Sequence, residues 1–141
     1  MKALPLRLVL VGLVLLLGGC ASVDATMEGG RTLKGVQRFF VVSNLNDNRA
    51  LDQQIAAALR AQGRTVEVGP LTMMPDETQA VITFQDHWAW DFGEHLVFLR
   101  IEVRPPRSPQ TYGNVTFSAR VPLREAPTAT VKRLVDELLK K

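Results

Sequence analysis

The side chains of this chain that could do chemistry are concentrated between residues 86 and 98. Asp86 lies between Phe84 and Trp88 in an alternating stretch, on the side of a predicted strand that is otherwise apolar. Burying an unpaired carboxylate is costly. Asp86 is therefore either a structural acceptor, bonded by backbone N–H groups or by an arginine, or the carboxylate of a reactive site. The structural interpretation is favoured, and no catalytic residue is predicted, because no nucleophile or second acid lies at a spacing from Asp86 that indicates a catalytic pair.

His87 and His95, together with Asp91 or Glu94, are the residues that could hold a metal ion. Two histidines without cysteine or a tight spacing are a weak metal signal. In the hairpin predicted below, the two rings also do not face each other across the strands. The sequence therefore predicts no metal and no cofactor.

Trp88 and Trp90 could stack on sugar rings or lie at a lipid interface, because an indole has an apolar body and a polar edge. The alternative is that they belong to the core, which is the prediction for Trp88. Trp90 stands nearer the tip of the predicted hairpin. At that tip, a candidate surface for a partner protein or for self-association is formed by Trp90, Phe92, Leu96 and Phe98.

Residues 79–90 and 95–104 alternate between apolar and polar side chains and predict a hairpin with a four-residue loop at 91–94. In this register Trp90 faces His95. The apolar face pairs Ile82 with Val103, Phe84 with Ile101 and Trp88 with Val97, and the other face pairs Thr83 with Glu102 and Gln85 with Arg100. A one-residue slip would scramble both faces, so the pattern supports this register.

The remaining elements follow from periodicity and capping. Residues 37–43, 64–68 and 111–121 are predicted as strands. A helix is predicted over 49–62, capped by Asp47 or Asn48, and a last helix opens at Pro127. The fold class is therefore α+β: a two-layer sandwich with a mostly antiparallel sheet of about five strands, two helices on one face, and the order β-α-β-β-β-β-α.

Residues 1–19 have the features of a signal peptide. Lys2 and Arg7 form a basic start, and residues 8–17 are an apolar run too short to cross a bilayer. Without these two residues the chain has 15 basic and 14 acidic side chains, a net charge of +1, which argues against nucleic acid as a partner. Residues 20–36 show no sustained period and are predicted as a flexible tether, followed by one periplasmic domain over 37–141.

Leu17, Gly18, Gly19 and Cys20 resemble a bacterial lipobox, in which an aliphatic residue and two small residues precede a cysteine. With the strand–helix–strand opening and residues 88–91 (WAWD), they give the chain a resemblance to small outer-membrane lipoproteins of a domain-of-unknown-function family. That family is similar to envelope lipoproteins that assist lipopolysaccharide assembly or exopolysaccharide secretion. The resemblance implies that Cys20 carries a diacylglycerol on sulfur and an acyl chain such as palmitate on its amine. Ala21 in the next position favours the outer membrane.

Three functions remain open from the sequence. The leading hypothesis is a non-catalytic accessory protein, tethered to the outer membrane through lipidated Cys20 and facing the periplasm. It would contact an unknown envelope protein or further copies of itself. The second is a glycan- or lipid-binding module that uses Trp88 and Trp90. The third is a hydrolase centred on Asp86.

Overall fold

A computed structural model describes residues 21–91, 93–120 and 125–141 of the chain. Leu17 to Cys20 and Phe92 lie outside these described residues. Within them a short 3-10 turn spans Leu71–Met73. The strands and α-helices, in chain order, are β1 (Ala21–Met27), β2 (Arg38–Val42), α1 (Leu51–Ala61), β3 (Thr65–Gly69), β4 (Ala80–Ala89), β5 (His95–Arg104), β6 (Gly113–Ala119) and α2 (Pro127–Leu139).

The strands form one mixed sheet in the order β1-β6-β5-β4-β2-β3. β2 pairs in parallel with β3 and with β4, and α1 provides the crossover connection that the parallel β2–β3 pair requires. The pairs β1–β6, β6–β5 and β5–β4 are antiparallel. Both helices pack on one face of the sheet and against each other. The predicted α+β two-layer sandwich is confirmed, with six strands where about five were predicted.

The core lies between the helices and this face of the sheet. α2 begins at Pro127, and proline suits this position because the first N–H groups of a helix have no intrahelical acceptor. The helix buries Val131, Leu134 and Leu138 in the core. The strands contribute alternate residues, as the pleat requires. Those in the core cluster include Phe39, Val41, Ile82, Phe84, Leu96, Leu99, Ile101, Val103, Val115 and Phe117.

α1 buries the stripe that its periodicity predicts, with Leu51, Ile55 and Leu59 inside. Ahead of it, the Asp47 carboxylate accepts the backbone N–H of Leu51 at 2.5 Å, which confirms the predicted capping role of this residue. The helix was predicted over 49–62 and begins two residues later. Ala50 adopts a left-handed conformation, with φ 53°, and thereby separates the capping loop from the first helical turn.

The prediction of a flexible tether over residues 20–36 is wrong for its described part. Residues 21–27 form β1, an edge strand that pairs with β6. Val23 and Met27 point toward the core, opposite Phe117 and Gly113, and the Met27 sulfur fills the space that a side chain at Gly113 would occupy. This strand forms because its alternation matches that of β6, a partner about ninety residues away in sequence.

The segment after β1 also belongs to the domain. Leu33 is fully buried in the core cluster. On either side of it, the Thr32 hydroxyl donates to the Lys141 carbonyl at 2.5 Å, and Arg64 donates to the Val36 carbonyl at 2.7 Å. The folded domain therefore includes the described residues 21–36, which were predicted as a tether.

The β4–β5 hairpin confirms the predicted register from Val81 to His87 and departs from it only next to the loop. Ile82 faces Val103 and His87 faces Phe98, as predicted. Between His87 and Trp88 the register shifts by one residue, so that Trp88 faces Leu96 and not Val97. Val97 is the extra residue of a β-bulge. The predicted pairing of Trp90 with His95 is wrong for the same reason, because His95 pairs with Ala89.

Candidate functional site

Arg49 joins the loop before α1 to the outer half of the β4–β5 hairpin. Its guanidinium lies 4.3 Å from the centre of the Trp88 ring and forms an ion pair with Glu94. The Trp88 indole N–H in turn donates to the Asp86 carboxylate at 2.6 Å. We refer to Arg49, Asp86, Trp88 and Glu94 as the Arg49 cluster.

Local backbone features place each member of the cluster. Asp47 accepts the backbone N–H of Arg49 at 2.8 Å, which fixes the turn from which the arginine side chain leaves. Asp86 and Trp88 are two residues apart on one strand and share a face. The bulge at Val97 lets Leu96 enter the core opposite Trp88 while the strand continues to the hairpin loop.

Asp86 is half-buried rather than buried, and among the described residues its hydrogen-bond partner is neither a backbone N–H nor an arginine. The indole of Trp88 satisfies the carboxylate, and the face of the same ring is covered by Arg49. A cation over an indole contributes about 0.5–2 kcal/mol, depending on its exposure to water. The arrangement can therefore hold the α1 loop against the hairpin, and it supports the structural interpretation of Asp86.

The two histidines make separate local contacts. His87 stacks on Phe98 with ring centroids 5.6 Å apart. His95 lies with Nε2 3.8 Å from the Asp91 carboxylate and Nδ1 3.0 Å from the Gly93 carbonyl. Among residues 21–91, 93–120 and 125–141, no group of three or more His, Cys, Asp or Glu side chains has an arrangement that could hold a metal ion.

The candidate tip surface is not one continuous patch. Trp90 is 73% exposed, but Leu96 is only 6% exposed and belongs to the core. Phe98 is half-buried against His87 on the sheet face away from the helices. The bulge produces this separation, because it turns Leu96 inward and leaves Phe98 facing outward. Phe92, the fourth predicted member, lies outside the described residues.

Leu45 is an exposed apolar residue that the sequence interpretation did not select. It is 99% exposed in the loop between β2 and α1. The sequence could have indicated this exposure, because Leu45 and Ala50 are the two apolar residues in the otherwise polar run 43–50. Arg49 and Glu94 were missed for another reason: they are 45 residues apart, and no local pattern relates them.

At the opposite end of the sheet, Arg31 stacks on Tyr112. The guanidinium carbon lies 4.9 Å from the ring centre. Burial raises the pKa of the Tyr112 phenol, and the charge of Arg31 offsets part of that rise. The contact ties the segment after β1 to the residue that precedes β6.

In the part of the chain that the structure describes, neither α-helix has the length and apolar character needed to cross a membrane. No known protein family matches the sequence, and no curated protein matches it.

The class of protein that these elements define is an α+β two-layer sandwich, and solved structures of PelC share it. The fold is similar to that of a single-residue variant of the PelC dodecamer from Paraburkholderia phytofirmans, with a TM-score of 0.61 and 17% sequence identity. The match covers 84% of this chain and 95% of that chain. A second crystal form of the PelC dodecamer gives a TM-score of 0.60 and 15% identity, covering 84% of this chain and 94% of that one. At this identity the likeness is one of fold.

Proposed function

We propose that this chain is a lipid-anchored lipoprotein of the outer membrane that faces the periplasm. In this proposal it acts as a non-catalytic accessory or scaffold in envelope assembly or secretion, through contact with other proteins and with copies of itself. The observation that carries the proposal is the fold shared with PelC, whose solved structures are dodecamers. The lipobox-like sequence from Leu17 to Cys20 supports the anchor.

The sheet face away from the helices is the surface that we assign to protein contact. Register places Thr116, Arg100 and Gln85 in one row across this face, which neither of the two described helices covers. Arg100 forms an ion pair with Glu102 at 2.8 Å on the same face. Such a polar surface fits a contact between proteins whose charges are complementary, with the ion pairs defining orientation more than affinity.

Crosslinking in intact cells tests this function. A photoreactive residue is placed at Gln85, which is exposed on the open sheet face, or at Gln53, which is exposed on α1. We expect Gln85 to capture a second copy of the chain or an envelope protein, and Gln53 to capture less. A Cys20→Ser chain should lose this capture if the anchor brings the partners together.

Native mass spectrometry of the detergent-extracted protein gives an independent result. A homo-oligomer is expected for the native chain. A monomer at all concentrations, together with no protein captured at either position, would contradict the proposal.

Trp90 favours one alternative function, a module that binds envelope glycans or lipids. It is 73% exposed, whereas the indole of Trp88 is already engaged by Asp86 and Arg49. A change in tryptophan fluorescence on adding an envelope glycan, absent in Trp90→Phe, would support this alternative. Trp88→Phe is the matched control and should retain the change.

A further inference from the structure

A groove lies between the segment after β1 and the loop that joins β5 to β6. Its volume is about 270 Å³, which is near the small end of the range for clefts that bind small molecules. One wall is formed by the turn at residues 28–31, and the other by the loop at residues 105–112. The groove therefore has room for a ligand about the size of one sugar ring.

Both walls of the groove are held by hydrogen bonds. The backbone N–H of Glu28 donates to the Tyr112 carbonyl at 2.8 Å, and the N–H of Arg31 donates to the Glu28 carbonyl at 3.2 Å. On the other side, the Arg104 guanidinium donates to the Ser108 carbonyl at 3.1 Å. The lining residues are therefore positioned before a ligand binds, which lowers the entropy cost of binding.

Arg31 presents a positive charge to the groove in an orientation that suits a carboxylate. Its guanidinium carbon lies 4.9 Å from the centre of the half-buried Tyr112 ring. A guanidinium stacked on an aromatic ring keeps its N–H donors at the edge, where they can bond a planar anion bidentately. Among the described residues, no carboxylate forms an ion pair with Arg31. Its donors are therefore available to a ligand.

The charges around the groove favour an anion. Residues 28–34 and 104–112 carry four basic side chains and one acidic side chain. The basic residues are Arg31, Lys34, Arg104 and Arg107. An excess of positive charge around a cleft raises the local concentration of anions. An anionic ligand is therefore attracted to this end of the sheet.

Glu28 and the neutral lining residues restrict the kind of anion. Glu28 lines the same groove as Arg31, so it repels a doubly charged phosphate ester more than a singly charged carboxylate. The Glu28 carboxylate can also accept hydrogen bonds from hydroxyl groups. Ser108, Gln110 and Thr111 add hydroxyl and amide groups to the lining. A ligand with one carboxylate and several hydroxyl groups matches this set.

We propose that this groove binds the carboxylate of an acidic sugar, a uronic acid, with Arg31 as its bidentate partner. The hydroxyl groups of the sugar contact Glu28 and the polar side chains of the loop at residues 105–112. The groove precedes β6, whereas Trp90 follows β4, so the two lie at opposite ends of the sheet. The site goes beyond the proposed function, because it depends neither on lipidation nor on assembly.

Isothermal titration calorimetry of the detergent-extracted full chain with glucuronate tests this site. Glucuronate should bind, and uncharged glucose should bind at least about tenfold more weakly, because it lacks the charged partner of Arg31. Arg31→Met should weaken glucuronate binding by a similar factor. Arg31→Lys should recover only part of the loss, because an ammonium lacks the planar fork of donors.

Arg107→Met is the matched control for the loss of one positive charge. Arg107 is exposed in the same loop but does not line the groove. Its removal should change glucuronate binding by no more than about twofold, because salt screens exposed charges that do not contact the ligand. Trp90→Phe should also leave this binding unchanged, which separates the site from the alternative function assigned to Trp90.

Tyr112 reports whether the ligand occupies this groove. Burial raises the pKa of the Tyr112 phenol, and the charge of Arg31 offsets part of that rise. A carboxylate bound to Arg31 neutralises this charge, so saturating glucuronate should raise the pKa measured from phenolate absorbance. In Arg31→Met, glucuronate should leave that pKa unchanged.

Several results would overturn the inference. They are an absence of glucuronate binding, equal binding of glucuronate and glucose, and equal binding by the native chain and by Arg31→Met of unchanged urea midpoint. Tighter binding of a hexose phosphate than of glucuronate would also contradict it, because the groove would then select phosphate. The proposed function is tested separately, since capture at Gln85 does not depend on this groove.

Discussion

Replacing Leu33 by alanine tests whether the segment between β1 and β2 belongs to the folded domain. The Leu33 side chain is fully buried in the core cluster, and the hydrogen bonds of Thr32 and Val36 hold the chain on both sides of it. Removing it deletes three buried carbons, worth about 2.4 kcal/mol in transfer free energy. With a cavity left behind, the loss in unfolding free energy should be about 3 kcal/mol.

Urea unfolding of the purified protein, followed by tryptophan fluorescence, measures this loss. With a slope of about 1–3 kcal/mol per molar urea, the midpoint should fall by at least about 1 M. Leu45→Ala is the matched control, because this leucine is 99% exposed and its truncation should change stability by less than about 0.5 kcal/mol. Equal midpoints for the two variants would refute the reasoning, since a leucine in a free tether has no core contacts to lose.

Two further predictions concern the bulge and the tyrosine. Deleting Val97 should leave a regular ladder of strand pairs in which Leu96 still faces Trp88. The variant should therefore fold and lose about 1 kcal/mol of unfolding free energy, because one half-buried side chain is removed. A non-cooperative urea transition would contradict this. Tyr112 is the single tyrosine of the chain, and its phenolate absorbance should titrate above the ordinary pKa of 10.0, because burial favours the neutral form. Since the folded state then keeps its proton longer, unfolding free energy should fall as the pH rises from 10.0 toward the folded pKa. Arg31→Met should raise that pKa further, and a lower value would contradict the assignment.

Local patterns in the sequence were sufficient to predict the two layers of the fold and most of the register of the hairpin. From Ile82 to Gln85, opposite Val103 to Arg100, the alternation of apolar and polar residues admits one register, and the structure has it. The alternation fails at Leu96 and Val97, which are adjacent and both apolar, so the sequence does not show which one faces the core. Leu96 faces the core in the structure, and this depends on how the sheet packs against the helices.

The edge strand β1 shows a different limit. Val23, Ala25 and Met27 alternate with polar residues, but alanine and aspartate are weak strand formers and a glycine pair follows. The strand is stabilised by β6, which comes late in the sequence. The same holds for the candidate site: a contact between Asp86 and Trp88 follows from strand period alone, whereas the position of Arg49 over the ring depends on tertiary structure.

The start of β1 at Ala21 bears on the proposed scaffold function, in which Cys20 carries the lipid. A domain on a long flexible linker would sample many orientations, and ordering them on association costs free energy. If Cys20 is lipidated as proposed, a domain whose strand β1 begins at the next residue has fewer orientations open to it at the membrane. Copies anchored in this way would meet at the high effective concentration that confinement to a surface provides. If Cys20 is lipidated as proposed, weak polar contacts such as those offered by the Arg100 row suffice for assembly on the membrane, and the same contacts are much weaker in solution.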